Sequence, residues 1–284
     1  MDKTSTSSRI FRAIGLAIWG IFAMFPVYWI VITSFKQSKD IYQGPFLLPF
    51  VDFQPTMTAW TQLFGDPNSQ FLKFFLNSVT FSTVSALIAV LIGAFAGYGL
   101  ARYRYKYGSM KNEDLSFLIV SQRIMPPIVA IIALFAAFSF LKILDTKFGM
   151  ILVYTWFNLP LTVYVITDFI NRIPRDIEYA KAIDGYGKVD QILKVSLPLA
   201  MPGLAAAYLL SFFFSWNDFI LALMLTFRRA STLPIMIMNL SATNNPQWWF
   251  ISAISILSIL PPMVATILLN RYIDRQLLSG GTRQ

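Results

Sequence analysis

Residues 174–198 begin Pro174-Arg175-Asp176-Ile177-Glu178-Tyr179-Ala180-Lys181-Ala182-Ile183-Asp184-Gly185 and close on Leu197-Pro198. This polar, patterned stretch lies between two long apolar segments. Pro174 suits the first turn of a helix, where its missing N–H is no loss. Asp176 and Glu178 follow in that turn, where negative charge favours the helix dipole. Ile177, Ala180 and Ile183 recur at i, i+3 and i+6, one face of a short helix. Gly185-Tyr186-Gly187 breaks it, and Val189, Ile192 and Leu193 predict a second short amphipathic helix, ended by Pro198. The expected element is two short helices joined at a glycine corner, held just outside a membrane. An amphipathic hairpin lying on lipid, with Lys181, Lys188 and Lys194 at the headgroups, is the alternative the same spacing allows.

The flanking sequence supplies the membrane. Of 284 residues, 56% are hydrophobic and 13% charged, where a soluble domain carries about 25% charged. A helix crossing the hydrocarbon core needs roughly 20 mainly apolar residues. Six segments qualify, at approximately 13–35, 74–100, 115–141, 148–170, 199–227 and 248–269. They are continuously apolar rather than alternating, which excludes a barrel. Segment 13–35 is longer than a cleavable signal core and is read as the first span. The expected fold class is therefore an all-α membrane protein of six transmembrane helices, one transmembrane domain over 1–284.

Lys and Arg set the orientation. Fifteen of them lie in the N-terminal tail, the second and fourth connections and the C-terminal tail, from Lys3, Arg9 and Arg12 to Arg271, Arg275 and Arg283, against a smaller set on the other side that includes Lys36, Lys39, Lys142, Lys147, Arg228 and Arg229. Both termini and residues 174–198 are expected on the cytoplasmic face. The net charge of +9 then reflects topology rather than nucleic-acid binding, and Arg102-Tyr103-Arg104-Tyr105-Lys106-Tyr107 reads as a headgroup anchor. The chain lacks cysteine and histidine, so no disulfide, thiolate chemistry or histidine metal site is expected, and no catalytic group. Prolines recur inside the spans, at Pro26, Pro126-Pro127, Pro160, Pro202 and Pro261-Pro262, and predict bent helices.

The spacing of Glu178, Ala180, Asp184, Gly185, Leu197 and Pro198 resembles the EAA loop of ABC importer permeases. The match extends along the chain. Ser34-Phe35-Lys36, Asp40-Ile41-Tyr42, Phe53-Gln54-Pro55-Thr56 and Phe75-Leu76-Asn77-Ser78 look like the first external loop of carbohydrate-uptake permeases. Ser215-Trp216-Asn217-Asp218-Phe219 looks like their fifth-span segment, and Asn270-Arg271-Tyr272 through Leu278-Ser279-Gly280-Gly281 like their cytoplasmic tail. The six-span count matches the smaller, maltose-type member of the usual pair. Three positions depart from the pattern: Tyr179 replaces the name-giving glutamate, Lys181 the second alanine, and Tyr186 a small residue. Glu178 stands one position early, rotated by about 100° on a helix.

The resemblance implies a plasma (inner) membrane subunit of a bacterial binding-protein-dependent importer for a carbohydrate or polyol. It implies a second permease subunit, two ATP-binding subunits and a solute-binding protein as partners, besides membrane lipid and with no nucleic acid. In that family the loop at 174–198 forms coupling helices seated on the ATPase. The outer connection 228–247 reaches the binding protein; a re-entrant plug is the alternative for that segment. No G-x-x-x-x-G-K-[ST] phosphate loop is present, so no cofactor is expected in this chain and ATP and Mg belong to a partner ATPase.

Arg123 and Asp218 are charges within spans, and such charges face protein or water. With Trp216 and Asn217 they form a candidate translocation path for a polar solute, an aromatic ring beside hydrogen-bonding groups. A mutual structural pairing of Arg123 with Asp218 is the alternative. Asp168, near a span end, is read as structural. Two further functions stay open on sequence: an ion-coupled secondary transporter, and an ABC permease for another polar solute.

Overall fold

A computed structural model describes residues 6–66, 69–106 and 108–280, with side chains over 10–273 apart from those gaps. Of the residues singled out above, Lys3, Tyr107, Gly281 and Arg283 lie outside the described residues, and Arg9, Arg275, Leu278 and Ser279 are described in backbone only. The regular structure of the described residues is all helical, with no strand and one isolated bridge between Pro49 and Phe53.

The chain divides into two compact units, Met1–Leu72 with Ile237–Ile259 and Lys73–Met236 with Leu260–Gln284. In the first, α1 (Thr6–Thr33) is apolar on every face, and none of its most apolar stretch is buried inside the protein. A helix of that kind is solvated by lipid or by a partner. After it come α2 (Ser38–Tyr42) and α3 (Thr58–Gly65). Lys36 is 1% exposed, and its ammonium stands 4.3 Å from the Trp29 ring and 5.2 Å from that of Phe53. Burial pushes its pKa down, against the pull of Asp40 and Asp52. Asp52 in turn accepts the Leu47 and Leu48 N–H groups, both at 2.8 Å.

The second unit is built on α4 (Phe71–Arg102) and α7 (Lys147–Asn171). They meet where α4 carries small residues. A Cβ on Gly93 would lie 2.7 Å from the Thr162 hydroxyl, so glycine there lets the two backbones close up, and Thr162 donates to the Ala89 carbonyl at 3.1 Å. Val90, Ala94 and Tyr98 of α4, Ile166 and Ile170 of α7, and Ala207 of α11 (Met201–Trp216) form one buried cluster. A second joins Phe81 of α4 and Met150, Val153 and Tyr154 of α7 with the elements that follow the two broken spans.

Two of the expected spans are bent or interrupted. The segment at 115–141 is α5 (Asn112–Ile124) and α6 (Pro127–Phe140), bent by 87°. Pro126 drives Met125 out of the helical region, to ψ 124°, and Pro127 opens the next helix. The polar stretch follows α7 as α8 (Arg175–Ile183), α9 (Lys188–Gln191), a π-helical turn at Ile192–Ser196 and α10 (Leu197–Leu199). The chain then bends by 74° into α11. The segment at 199–227 is not continuous either, because α11 stops at Trp216 and α12 (Ile220–Leu225) restarts after Asn217-Asp218-Phe219. Asn217 folds its amide back on the Phe213 carbonyl at 2.8 Å, and Asp218 accepts the Ala222 N–H at 3.1 Å, local bonds that compete with the helix ladder. The chain ends in α13 (Leu233–Ser241) and α14 (Trp248–Gly280). Helices α1, α4, α7 and α14 are long and apolar enough to cross a membrane, and the bent pairs bring the total to as many as six. Pro26, Pro160 and Pro261-Pro262 sit inside continuous helices.

Candidate functional site

The two short helices and the glycine corner form as the spacing predicts. Gly185 has φ +86°, the left-handed conformation that glycine adopts without strain. Its N–H bonds to the Ala182 carbonyl and that of Tyr186 to Lys181, both at 3.1 Å, a Schellman end to α8. The apolar face is left open, with Ile183 87%, Val189 65% and Tyr179 59% exposed, and Ile177 and Leu193 exposed beside them. Ala180 and Gly185 lie in the same exposed surface, Pro198 is exposed at its far end, and Leu197 packs on the cluster beneath.

Glu178 is placed differently. It is 6% exposed and turned inward, away from the open face. One carboxylate oxygen receives Arg102 Nε at 2.9 Å and the Ser196 hydroxyl at 2.7 Å, and the other receives Tyr98 Oη at 3.3 Å. Arg102 also donates to the Ile173 carbonyl at 3.0 Å, and Arg175 to that of Ala101 at 3.1 Å. Both ends of the loop are thus tied to the end of α4. Arg102 corrects the expectation of a headgroup anchor, since its side chain is 6% exposed and paired. Asp184 holds Lys181 at 3.0 Å in the open, which raises the lysine's pKa through that hydrogen bond. Asp190 and Lys194 pair likewise at 2.6 Å, so the loop presents apolar side chains between two charge pairs.

Within the second unit, Arg123 and Asp218 line one cavity of about 290 Å³, together with Tyr154, Phe157, Asn158 and Phe214. They do not pair. Arg123 donates to the Phe157 carbonyl at 2.7 Å and lies 3.9 Å from the Phe214 ring centre, and Asp218 accepts from Tyr154 Oη at 3.0 Å and caps α12. Trp216 and Asn217 stand apart from this cavity. The indole is 6% exposed, stacked at 5.9 Å on Phe212 and edge-on to Phe75 at 6.1 Å, and the Asn217 amide serves its own helix end. The expected ring beside hydrogen-bonding groups is supplied by Tyr154, Phe157 and Phe214 instead. Asp168 makes an exposed pair with Arg172 at 2.6 Å.

Residues 89–279 match the family described as binding-protein-dependent transport system inner membrane component. The chain belongs to this family. It is 32% identical over 280 residues to the inner membrane ABC transporter permease protein YcjP of Escherichia coli (strain K12), covering 98% of each. It is 30% identical over 279 residues to the sulfoquinovosyl glycerol transport system permease protein SmoH of Agrobacterium fabrum, covering 98% of this chain and 95% of the other. Its fold is similar to a chain of a bacterial ABC transporter that imports the acidic polysaccharide alginate, with TM-score 0.74 and 22% identity over 96% of this chain and 99% of that one. The protein is a multi-pass inner-membrane transport subunit rather than an enzyme.

Three anchoring contacts of this permease were not read from the sequence: Asp145 carried no signal, and Asn77 and Ser78 stood out only as part of a family-like segment. Asp145, at φ 54° between α6 and α7, accepts the backbone N–H groups of Phe227, Arg228, Arg229 and Ala230 at 2.9–3.1 Å. Burial works against its charge, but the four N–H groups outweigh that and hold the carboxyl below its usual range. Asn77 donates to the Arg229 and Ser231 carbonyls at 3.1 and 3.0 Å, and Ser78 accepts the Leu233 N–H at 2.8 Å. The start of the connection 228–247 is thereby pinned, and α13 buries Leu233, Ile235 and Met236 as its apolar composition predicts. Residues 241–245 remain exposed.

Proposed function

We propose that this chain is one of two permease subunits of an ABC importer for a carbohydrate or polyol, served by two ATP-binding subunits and a solute-binding protein. The observation that carries the reading is the loop at 174–198. It pairs an unpartnered apolar face with a buried ionic anchor, so that force applied to the face is passed to α4 rather than absorbed. Both termini and this loop lie on the cytoplasmic side, where the basic residues concentrate. ATP and Mg bind the partner ATPases, whose closure moves the loop as a rigid lever and switches the spans between inward- and outward-facing states. The carbohydrate class rests on family members transporting sulfoquinovosyl glycerol, diacetylchitobiose and trehalose.

The test is co-expression with candidate second-permease, ATPase and binding-protein subunits from the same genome, followed by reconstitution in proteoliposomes. The expected result is sugar uptake that requires ATP and the loaded binding protein. Uptake by the purified chain alone, driven by an ion gradient, overturns the reading.

A further inference from the structure

We propose that the Arg123–Asp218 cavity is a solute subsite that reads the hydroxyl groups of an uncharged sugar or polyol, so that this subunit contacts the transported molecule itself. The inference rests on the importer reading and adds the place and chemistry of contact.

The argument starts from hydrogen-bond capacity. A guanidinium has five N–H donors. Arg123 gives one to the Phe157 carbonyl, and the others meet no hydrogen-bond partner among the described residues. No carboxylate lies within ion-pair distance of it among those residues. A lone charge within a span costs on the order of 2.5–3.5 kcal/mol on insertion scales, and a purely structural arginine is expected to recover that through a buried acid. Asp218 sits in the same cavity and is bound elsewhere. Its Oδ2 takes Tyr154 and Ala222, but Oδ1 has only the Leu221 N–H at 3.5 Å. A carboxylate offers about four lone-pair positions, so acceptor capacity remains on Oδ1. The cavity therefore holds spare donors and a spare acceptor that do not satisfy each other.

Charge and shape narrow the ligand. One cation and one anion share the wall, so the site gives no net reward to a charged solute. Phe157 adds aromatic surface, beside Phe214, which carries the Arg123 guanidinium, and the buried Tyr154. A sugar presents hydroxyls that both donate and accept, and an apolar C–H face that packs on rings. The volume of about 290 Å³ is at the small end of ligand pockets, which suits one sugar ring or a short polyol. Asn158 is held beside it, donating to Ser215 Oγ at 2.8 Å and to the Ser211 carbonyl at 3.3 Å, which fixes one wall on α7 and α11.

The experiment uses the complete reconstituted complex. Wild type is first offered radiolabelled glucose, maltose, trehalose, mannitol, glucuronate and methionine. The neutral compound carried best is then compared with its monodeoxy analogues in wild type, Asp218→Asn and Arg123→Gln. A folding defect lowers uptake of parent and analogue together. Loss of hydroxyl reading instead collapses the preference for the parent, by an expected fivefold or more, for the analogue lacking the recognised hydroxyl. Because the chain has no cysteine, Met125→Cys on the cavity wall provides a separate readout in an otherwise cysteine-free complex. The transported sugar is expected to slow its alkylation by a small maleimide. An unchanged parent-to-analogue ratio in both variants, or alkylation indifferent to the sugar, overturns the subsite while sugar import by wild type still upholds the importer. Uptake of glucuronate alone overturns the uncharged-solute assignment. Uptake of methionine alone overturns the carbohydrate reading itself.

Discussion

Glu178 and Arg102, 76 residues apart in sequence, meet at 2.9 Å with 7% and 6% of their side chains exposed. The contact joins the first helix of an exposed loop to the end of the longest helix of its unit, and Ser196 brings the far end of the loop to the same carboxylate. Removing one partner of a buried pair costs about 3–5 kcal/mol, because the other charge is left unmatched. Arg102→Ala and Glu178→Gln are therefore each expected to lower the thermal midpoint of the purified complex and to expose the loop to limited proteolysis. The double variant should be less unstable than the sum of the two. Strictly additive losses in that cycle would show that the two residues do not act as a pair.

The glycine corner makes a separate prediction. Proline cannot take φ +86°, and an L-residue there is strained. Gly185→Pro should break the Schellman turn and change the angle between the two loop helices. Asp184→Lys places a second lysine beside Lys181, where a 3.0 Å pair now stands. Both positions are exposed, so insertion into the membrane should survive. The expected outcome is solute-stimulated ATP hydrolysis reduced tenfold or more. Coupling at the wild-type level in both variants would favour a loop that merely rests on lipid.

The loop was legible because its signals are local: a proline start, an i, i+3, i+6 face, a glycine stop. The rotation of Glu178 away from the pattern was legible too, but its partner was not, since that depends on which residues of α4 arrive beneath α8, and Arg102 read as a headgroup anchor from its own neighbourhood. The broken spans divide the same way. Pro126-Pro127 signalled a bend but not its 87° size, while the stop at Trp216 comes from side-chain bonds of Asn217 and Asp218 that hydropathy does not register. Arg123 and Asp218 stood out as charges in apolar runs. Tyr154 and Asn158 did not, because either residue is ordinary in a span until the cavity beside it is known. Tyr179 marks a departure with a consequence: it occupies the exposed face while the carboxylate beside it is buried, so the loop offers its partner an aromatic ring where the family pattern has a glutamate.

Asp145 provides a pH-dependent contact. Its carboxyl is held below the ordinary value in the fold, so its stabilisation is fully present above the unfolded value of about 3.9 and is lost as pH falls through the lower folded value. No change is expected from it between pH 6 and 8. Asp145→Ala frees four backbone donors of residues 227–230, and allowing for partial solvation the loss should be on the order of 1–2 kcal/mol. Hydrogen exchange at 227–233 should accelerate in the variant, with the exchange of α8 unchanged. Equal protection of 227–233 in variant and wild type would leave the loop held by Asn77 and Ser78 alone.

If the proposed binding protein meets this subunit at the connection 228–247, the loop's middle is the part that remains for it. Its first part is pinned by Asp145, Asn77 and Ser78, and at the far end the Pro246 carbonyl accepts Tyr42 Oη at 3.0 Å. The residues between α13 and Pro246 are exposed and uncharged. Exposed polar residues held between fixed ends suit contact with a partner better than internal packing, which they do not provide. Deleting 242–245 keeps Pro246 and its partner, and should leave insertion and the hydrolysis seen without binding protein as they are. Stimulation by the loaded binding protein should fall at least tenfold, and sugar uptake with it. The measurement is ATPase rate against binding-protein concentration in proteoliposomes. A curve superimposable on wild type would assign these residues to the closure of the outer mouth instead.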